Sequence, residues 1–65
     1  MFRQHHVYTH RNMIDCNVYV LKSYMIPDGR YKLKIRWLLK NGMDMNLQEN
    51  VIIKREQVKN WREVE

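Results

Sequence analysis

From Arg30 to Lys40 the chain reads RYKLKIRWLLK, and up to Trp37 it alternates without a break. Tyr31, Leu33, Ile35 and Trp37 hold the odd positions; Arg30, Lys32, Lys34 and Arg36 hold the even ones. A period of two is that of a β-strand with one apolar and one basic face. The run IDCNVYVLKSYM, residues 14–25, lacks Gly and Pro and is rich in β-branched and aromatic residues. It predicts an earlier strand with Ile14, Cys16, Val18 and Val20 on one face. Pro27-Asp28-Gly29 between the two runs predicts a turn, since Pro presets φ and Gly supplies a positive one, so the strands should form an antiparallel hairpin.

Asn41-Gly42 predicts a second hairpin through a tight two-residue turn. Beyond it Met43, Met45 and Leu47 alternate with Asp44 and Asn46 as a third strand. Gln48-Glu49-Asn50 reads as a polar turn, and Val51-Ile52-Ile53 as a short buried fourth strand. The end of the chain, KREQVKNWREVE, changes period. Val58 and Trp61 are three apart, and Glu56–Lys59 and Lys59–Glu63 have helical pairing distance. With no Ser, Thr or Asp to cap it, this stretch predicts a single helical turn, followed by Arg62–Val64 as a last edge strand. Residues 1–12 are polar, with His5, His6 and His10 and few apolar members (Phe2, Val7, Tyr8). They read as an N-terminal arm carrying a short added strand at Val7–Thr9, which leaves 13–65 as a single small β domain.

The expected class is therefore mainly all-β. The order of strands, the close turns and the late helical turn resemble an SH3-like small barrel of the Tudor or chromo-barrel type. The likeness is carried by YKLKIRWLLKNGMDMNL and VIIKREQVKNWREV. It implies an antiparallel barrel or strongly bent sheet of four to five strands, and a binding module rather than a catalyst. Tudor-type domains usually hold methylated side chains in an aromatic cage, which Tyr19, Tyr24, Tyr31 and Trp37 would supply here.

Composition narrows the picture. Sixty-five residues at 45% hydrophobic and 29% charged are globular but small, and a core of that size barely offsets chain entropy. Trp37 and Trp61 are expected to share a core with Leu33, Ile35 and Val20, with Trp61 as its lid. A homo-oligomer is an alternative way of completing it. Cys16 is the single cysteine and excludes an intramolecular disulfide. The N-terminal residues lack a signal-peptide apolar run, and no stretch approaches a membrane span. A reducing, cytoplasmic setting is the expectation.

The net charge of +5 is local: Arg30 to Lys40 holds five of the twelve bases and no acid, leaving seven bases against seven acids elsewhere. Alternate strand residues lie ~6.5–7 Å apart, so Lys32, Lys34 and Arg36 make a row ~13–14 Å long, against one phosphate per ~3.4 Å of a nucleic-acid strand. The candidate binding residues are Arg30, Lys32, Lys34, Arg36 and Lys40. The first expectation is sequence-tolerant binding of DNA or RNA through that face. The alternative is docking on an acidic protein surface, in the style of a phage-type accessory protein that acts on a host factor. Tyr31 and Trp37 have core parity, and Tyr19 and Tyr24 differ in parity, so backbone contact is expected rather than base stacking. Phe2 and Tyr8, on the arm, would be freer.

Other chemistry finds little support. His6, His10 and Cys16 have ligand character but lack a fourth partner and a helix to align them. Cys16 within a strand behaves as a small hydrophobe and not as a nucleophile. No carboxylate pair or phosphate-cradling glycine loop is present. No enzyme, metal or cofactor is expected.

Overall fold

A computed structural model describes residues 2–64. The elements are β1 (Val7–His10), β2 (Cys16–Met25), β3 (Tyr31–Leu39), β4 (Asp44–Ile53), a 3-10 helix (Arg55–Asn60) and β5 (Trp61–Glu63). All strands lie in one antiparallel sheet in the order β4-β3-β2-β1-β5. The all-β expectation holds, with five strands and a short helical turn, but the sheet is not closed into a barrel.

Both hairpins use the same turn. Gly29 N–H donates to Ile26 O (2.9 Å) and Ile26 N–H to Arg30 O (2.7 Å). Likewise Gly42 N–H donates to Leu39 O and Leu39 N–H to Met43 O, both at 2.8 Å. Each loop thus has three residues, closed by a glycine with φ near +90° (Gly29 +94°, Gly42 +92°), as in a type I turn followed by a glycine bulge. This corrects the two-residue turn expected at Asn41-Gly42. Asn41 keeps a negative φ, and its Oδ1 instead accepts from Met43 N–H at 2.9 Å.

Gln48-Glu49-Asn50 is not a turn. These residues pair with Arg36, Ile35 and Lys34, so the expected third and fourth strands are one continuous β4. Their polarity reflects position: Asp44 through Asn50 are exposed along the sheet edge. The irregularity lies opposite Arg36–Leu38, where Asn46 adopts φ +56° and its N–H is held by Asp44 Oδ1 at 2.7 Å. Asn accepts that conformation more readily than most residues. Ile14 falls outside β2 and is 82% exposed, so strand pairing begins at Cys16.

The core is Val18, Val20, Leu33 and Ile35, all essentially buried, with Phe2, Tyr8 and Ile53. Burying each such aliphatic side chain is worth ~1.5–3 kcal/mol. Two expectations change here. Trp37 and Trp61 pack against the core but are only half-buried. Phe2 is the lid instead: its ring lies 5.0 Å from Tyr8, 5.1 Å from Tyr31 and 6.0 Å from Trp61.

The N-terminal residues are consequently not a free arm. β1 is an interior strand between β2 and β5, with Tyr8 opposite both Val18 and Glu63. Glu63 gathers the segment: Arg3 Nη2 donates to its Oε1 at 2.9 Å, His6 Nδ1 to Oε2 at 3.2 Å, and the Tyr8 hydroxyl to Oε1 at 3.3 Å. Glu63 therefore does not pair with Lys59. Of the polar residues that suggest an arm, Arg3 and His6 bind this one carboxylate. Among the described residues no helix is long and apolar enough to cross a membrane.

Candidate nucleic-acid interface

Residues directly opposite in an antiparallel pair project to the same side of the sheet. Val18 faces Trp37 and Val20 faces Ile35, which defines the core side. On the other side Tyr19 faces Arg36. The ladder then shifts: Val20 pairs with Ile35, but Lys22 pairs with Lys34, and Leu21 is left over. This β-bulge reverses the parity of the rest of β2. Lys22 and Tyr24 both turn to the open side, opposite Lys34 and Lys32.

The expectation that Tyr19 and Tyr24 cannot share a face is thereby overturned. Both join the basic row, and Tyr24 is 55% exposed. Tyr31 and Trp37 are on the core side, so the four rings do not converge into a Tudor-type cage. One signal for this lies in the sequence. Strict alternation beyond Val20 would place Lys22 in the core, and an unpaired buried ammonium is far costlier than a bulge. β4 completes the open face with Gln48, Asn50 and Ile52 opposite Arg36, Lys34 and Lys32.

The five expected binding residues are not equivalent. Lys32 and Lys34 are exposed, and neither makes an ion pair among the described residues. Lys22 joins them as a third such cation. Arg36 is half-buried and donates from Nη1 to Asp44 Oδ2 at 2.7 Å. The Asn46 N–H, and then Arg36, hold the Asp44 carboxyl below the usual carboxylate range, so Asp44 stays ionised and neutralises Arg36. Arg30 follows directly on the first hairpin loop, its Nε donating to Asp28 Oδ2 at 2.8 Å. Lys40 folds back across the sheet to Thr9 and Asn17.

Lys22 and Lys34 are directly opposed, an arrangement that destabilises a sheet on its own. Tyr24 and Ile52 flank Lys32 from the two neighbouring strands. The open face can thus offer three uncompensated ammonium groups, one exposed aromatic ring and an apolar side chain to a ligand.

The histidines serve other contacts: His10 lies edge-on to Trp61 at 4.9 Å, and His5 Nδ1 is 3.1 Å from the Tyr19 hydroxyl. Among the described residues no three His, Cys, Asp or Glu side chains come together as a metal site. No family model, curated protein or solved structure matches this chain.

Proposed function

We propose that the open face of the sheet binds single-stranded nucleic acid with little regard to sequence. The observation that carries this reading is the shift at Leu21, which sets Lys22 and Tyr24 beside Lys32 and Lys34. Phosphates would lie along the lysines, with affinity from counterion release. Bases would stack on Tyr24 against Ile52. Stacking on an aromatic side chain is worth ~1–3 kcal/mol per base and tolerates any base. A duplex hides the faces of its bases, so it would use the lysines alone. The SH3-like architecture belongs to the same proposal, supported by a helical turn leading into a fifth strand that pairs with the first. The single free thiol of Cys16 fits the reducing, cytoplasmic setting that goes with it.

The test is fluorescence anisotropy with labelled oligouridine, oligothymidine and a duplex of equal length, over a series of salt concentrations. Three phosphate contacts on a single strand give a log–log salt slope of about −2. Tyr24→Ala should weaken single-strand binding about fivefold or more without changing that slope. Lys32→Glu with Lys34→Glu should abolish it. Arg36 is kept as it is, because a glutamate there would be set against Asp44. Equal affinity for duplex and single strand, with Tyr24→Ala neutral, would reject the stacking reading. Absence of binding to either at low salt would reject the nucleic-acid reading altogether and favour an acidic protein partner.

A further inference from the structure

A cleft of about 510 Å3 is lined by β1 and the residues after it, the end of the 3-10 helix, β5 and the loop after β3. Lys40 enters it from that loop. Its ammonium donates to Thr9 Oγ1 at 3.2 Å and to Asn17 Oδ1 at 3.1 Å. Both acceptors are neutral, and Lys40 makes no ion pair among the described residues. An ammonium has three donors, so the third N–H and the whole charge are left over. The charge is held in place but not neutralised.

Three more cations, Arg11, Lys59 and Arg62, line the same cleft, and no Asp or Glu does. Arg11 makes only a long contact to Asn60 Oδ1, at 3.5 Å. Four like charges around one hollow repel one another, and an anion held between them would remove that repulsion. The neutral donor needed beside them is present in the Thr9 hydroxyl. A carboxylate carries one charge, whereas a terminal phosphate carries nearly two and three acceptor oxygens, which better matches four cations.

We propose that this cleft is a binding site for a terminal phosphate group, carried either by the end of a nucleic-acid strand or by a small free phosphate compound. Lys40 is the fixed donor, Arg62 and Lys59 supply the fork and the second charge, and Thr9 adds a hydroxyl. The site does not depend on the lysine row of β2 and β3.

The experiment titrates isotope-labelled protein with inorganic phosphate and with pyrophosphate at constant ionic strength, read by amide NMR. Saturating shifts are expected at Thr9, Asn60 and the Trp61 indole. Arg62→Gln and Lys40→Met should each weaken pyrophosphate about tenfold or more, the loss expected for a hydrogen bond to a charged group, while Lys32→Gln with Lys34→Gln leaves it unchanged. Arg62→Gln disturbs no buried group, so it decides the matter even if Lys40→Met, which strips the partner from Thr9 and Asn17, fails to fold. A 5′-phosphorylated oligonucleotide that outbinds its 5′-hydroxyl twin assigns the strand end. Equal oligonucleotides with pyrophosphate binding intact assign a free phosphate compound. Shifts that do not saturate, that spread equally to Lys32 and Lys34, or that survive Arg62→Gln overturn the proposal. Pyrophosphate binding without any oligonucleotide binding would remove the single-strand reading and leave this site standing.

Discussion

The two sides of the sheet are made by the same strands and have opposite physics. On one side Val18, Val20, Leu33 and Ile35 are almost wholly excluded from water, under Phe2 as lid, with Val58 and Trp61 packed against the same core. On the other, Lys22, Lys32 and Lys34 stand in water with Tyr24 and Ile52 uncovered. Alternation along β3 alone would produce this contrast. What it would not produce is the opposed pair Lys22–Lys34, which a bulge in β2 creates at some cost to the sheet. The closed side thus supplies stability, and the open side is arranged against its own stability.

The contrast is broken most severely at Phe2. Its ring contacts Tyr8, Tyr31 and Trp61 at once, and Phe2→Ala should cost ~3–5 kcal/mol. For a chain this small that approaches the full stability, so the thermal transition by circular dichroism should broaden or vanish. Tyr24→Ala, on the open side, should shift stability by under ~0.5 kcal/mol. A Phe2→Ala protein that melts like the parent would show that the N-terminal segment is not the lid.

Phe2 also marks the limit of what local pattern reveals. The hairpin of β2 and β3 is legible because Leu33 and Ile35 alternate with Lys32 and Lys34, and because Pro27-Asp28-Gly29 has one obvious use. The late helical turn is legible from the 58–61 spacing. The short strand of the N-terminal segment is legible at Val7–Thr9, within the observed Val7–His10, but its interior place in the sheet and the burial of Phe2 and Tyr8 are not. Its partners, Val18 and Glu63, are 10 and 55 residues away from Tyr8 in the chain. β4 reads as two strands because an edge strand exposed on both sides carries polar residues that look like a turn. The proposed binding face and cleft are half legible. The β3 cations can be read directly, but Lys22, Tyr24 and Arg62 depend on a bulge and on a pairing between the two ends of the chain, and neither leaves a local period.

A smaller effect distinguishes the sides through pH. On the closed side Glu63 joins Arg3, His6 and Tyr8, and the Arg3 hydrogen bond, followed by its charge, holds the Glu63 carboxyl below its ordinary value. A carboxyl depressed by folding contributes stability above its unfolded pKa, and loses it as pH falls through the lower, folded one. The melting temperature should therefore fall on acidification below about pH 4. Asp28 and Asp44, depressed mainly by the backbone N–H groups of Arg30 and Asn46, act in the same direction. Glu63→Gln should flatten the acid limb, and the amide signals of Phe2 and Arg3 should lose dispersion along with it. An acid limb unchanged in Glu63→Gln would place the titrating stability in the hairpin loops alone.

The smallest expected change in stability is the one that best separates the two sides, at Lys22. Reversal to glutamate turns the opposed Lys22–Lys34 pair into an attractive one. Cross-strand pairs of this kind contribute ~0.2–1 kcal/mol, so Lys22→Glu should raise the melting temperature slightly. The same change takes one ammonium away from the phosphates and adds a repulsive charge to the row. Single-strand affinity should fall, with the salt slope shallower by about 0.7 for the one phosphate no longer neutralised. Stability and binding then move in opposite directions through one side chain. That is the behaviour of a position whose charge is kept for a ligand. If Lys22→Glu left both melting and binding where they were, the bulge in β2 would be a matter of packing around Leu21, and the lysines would be no more than a soluble surface.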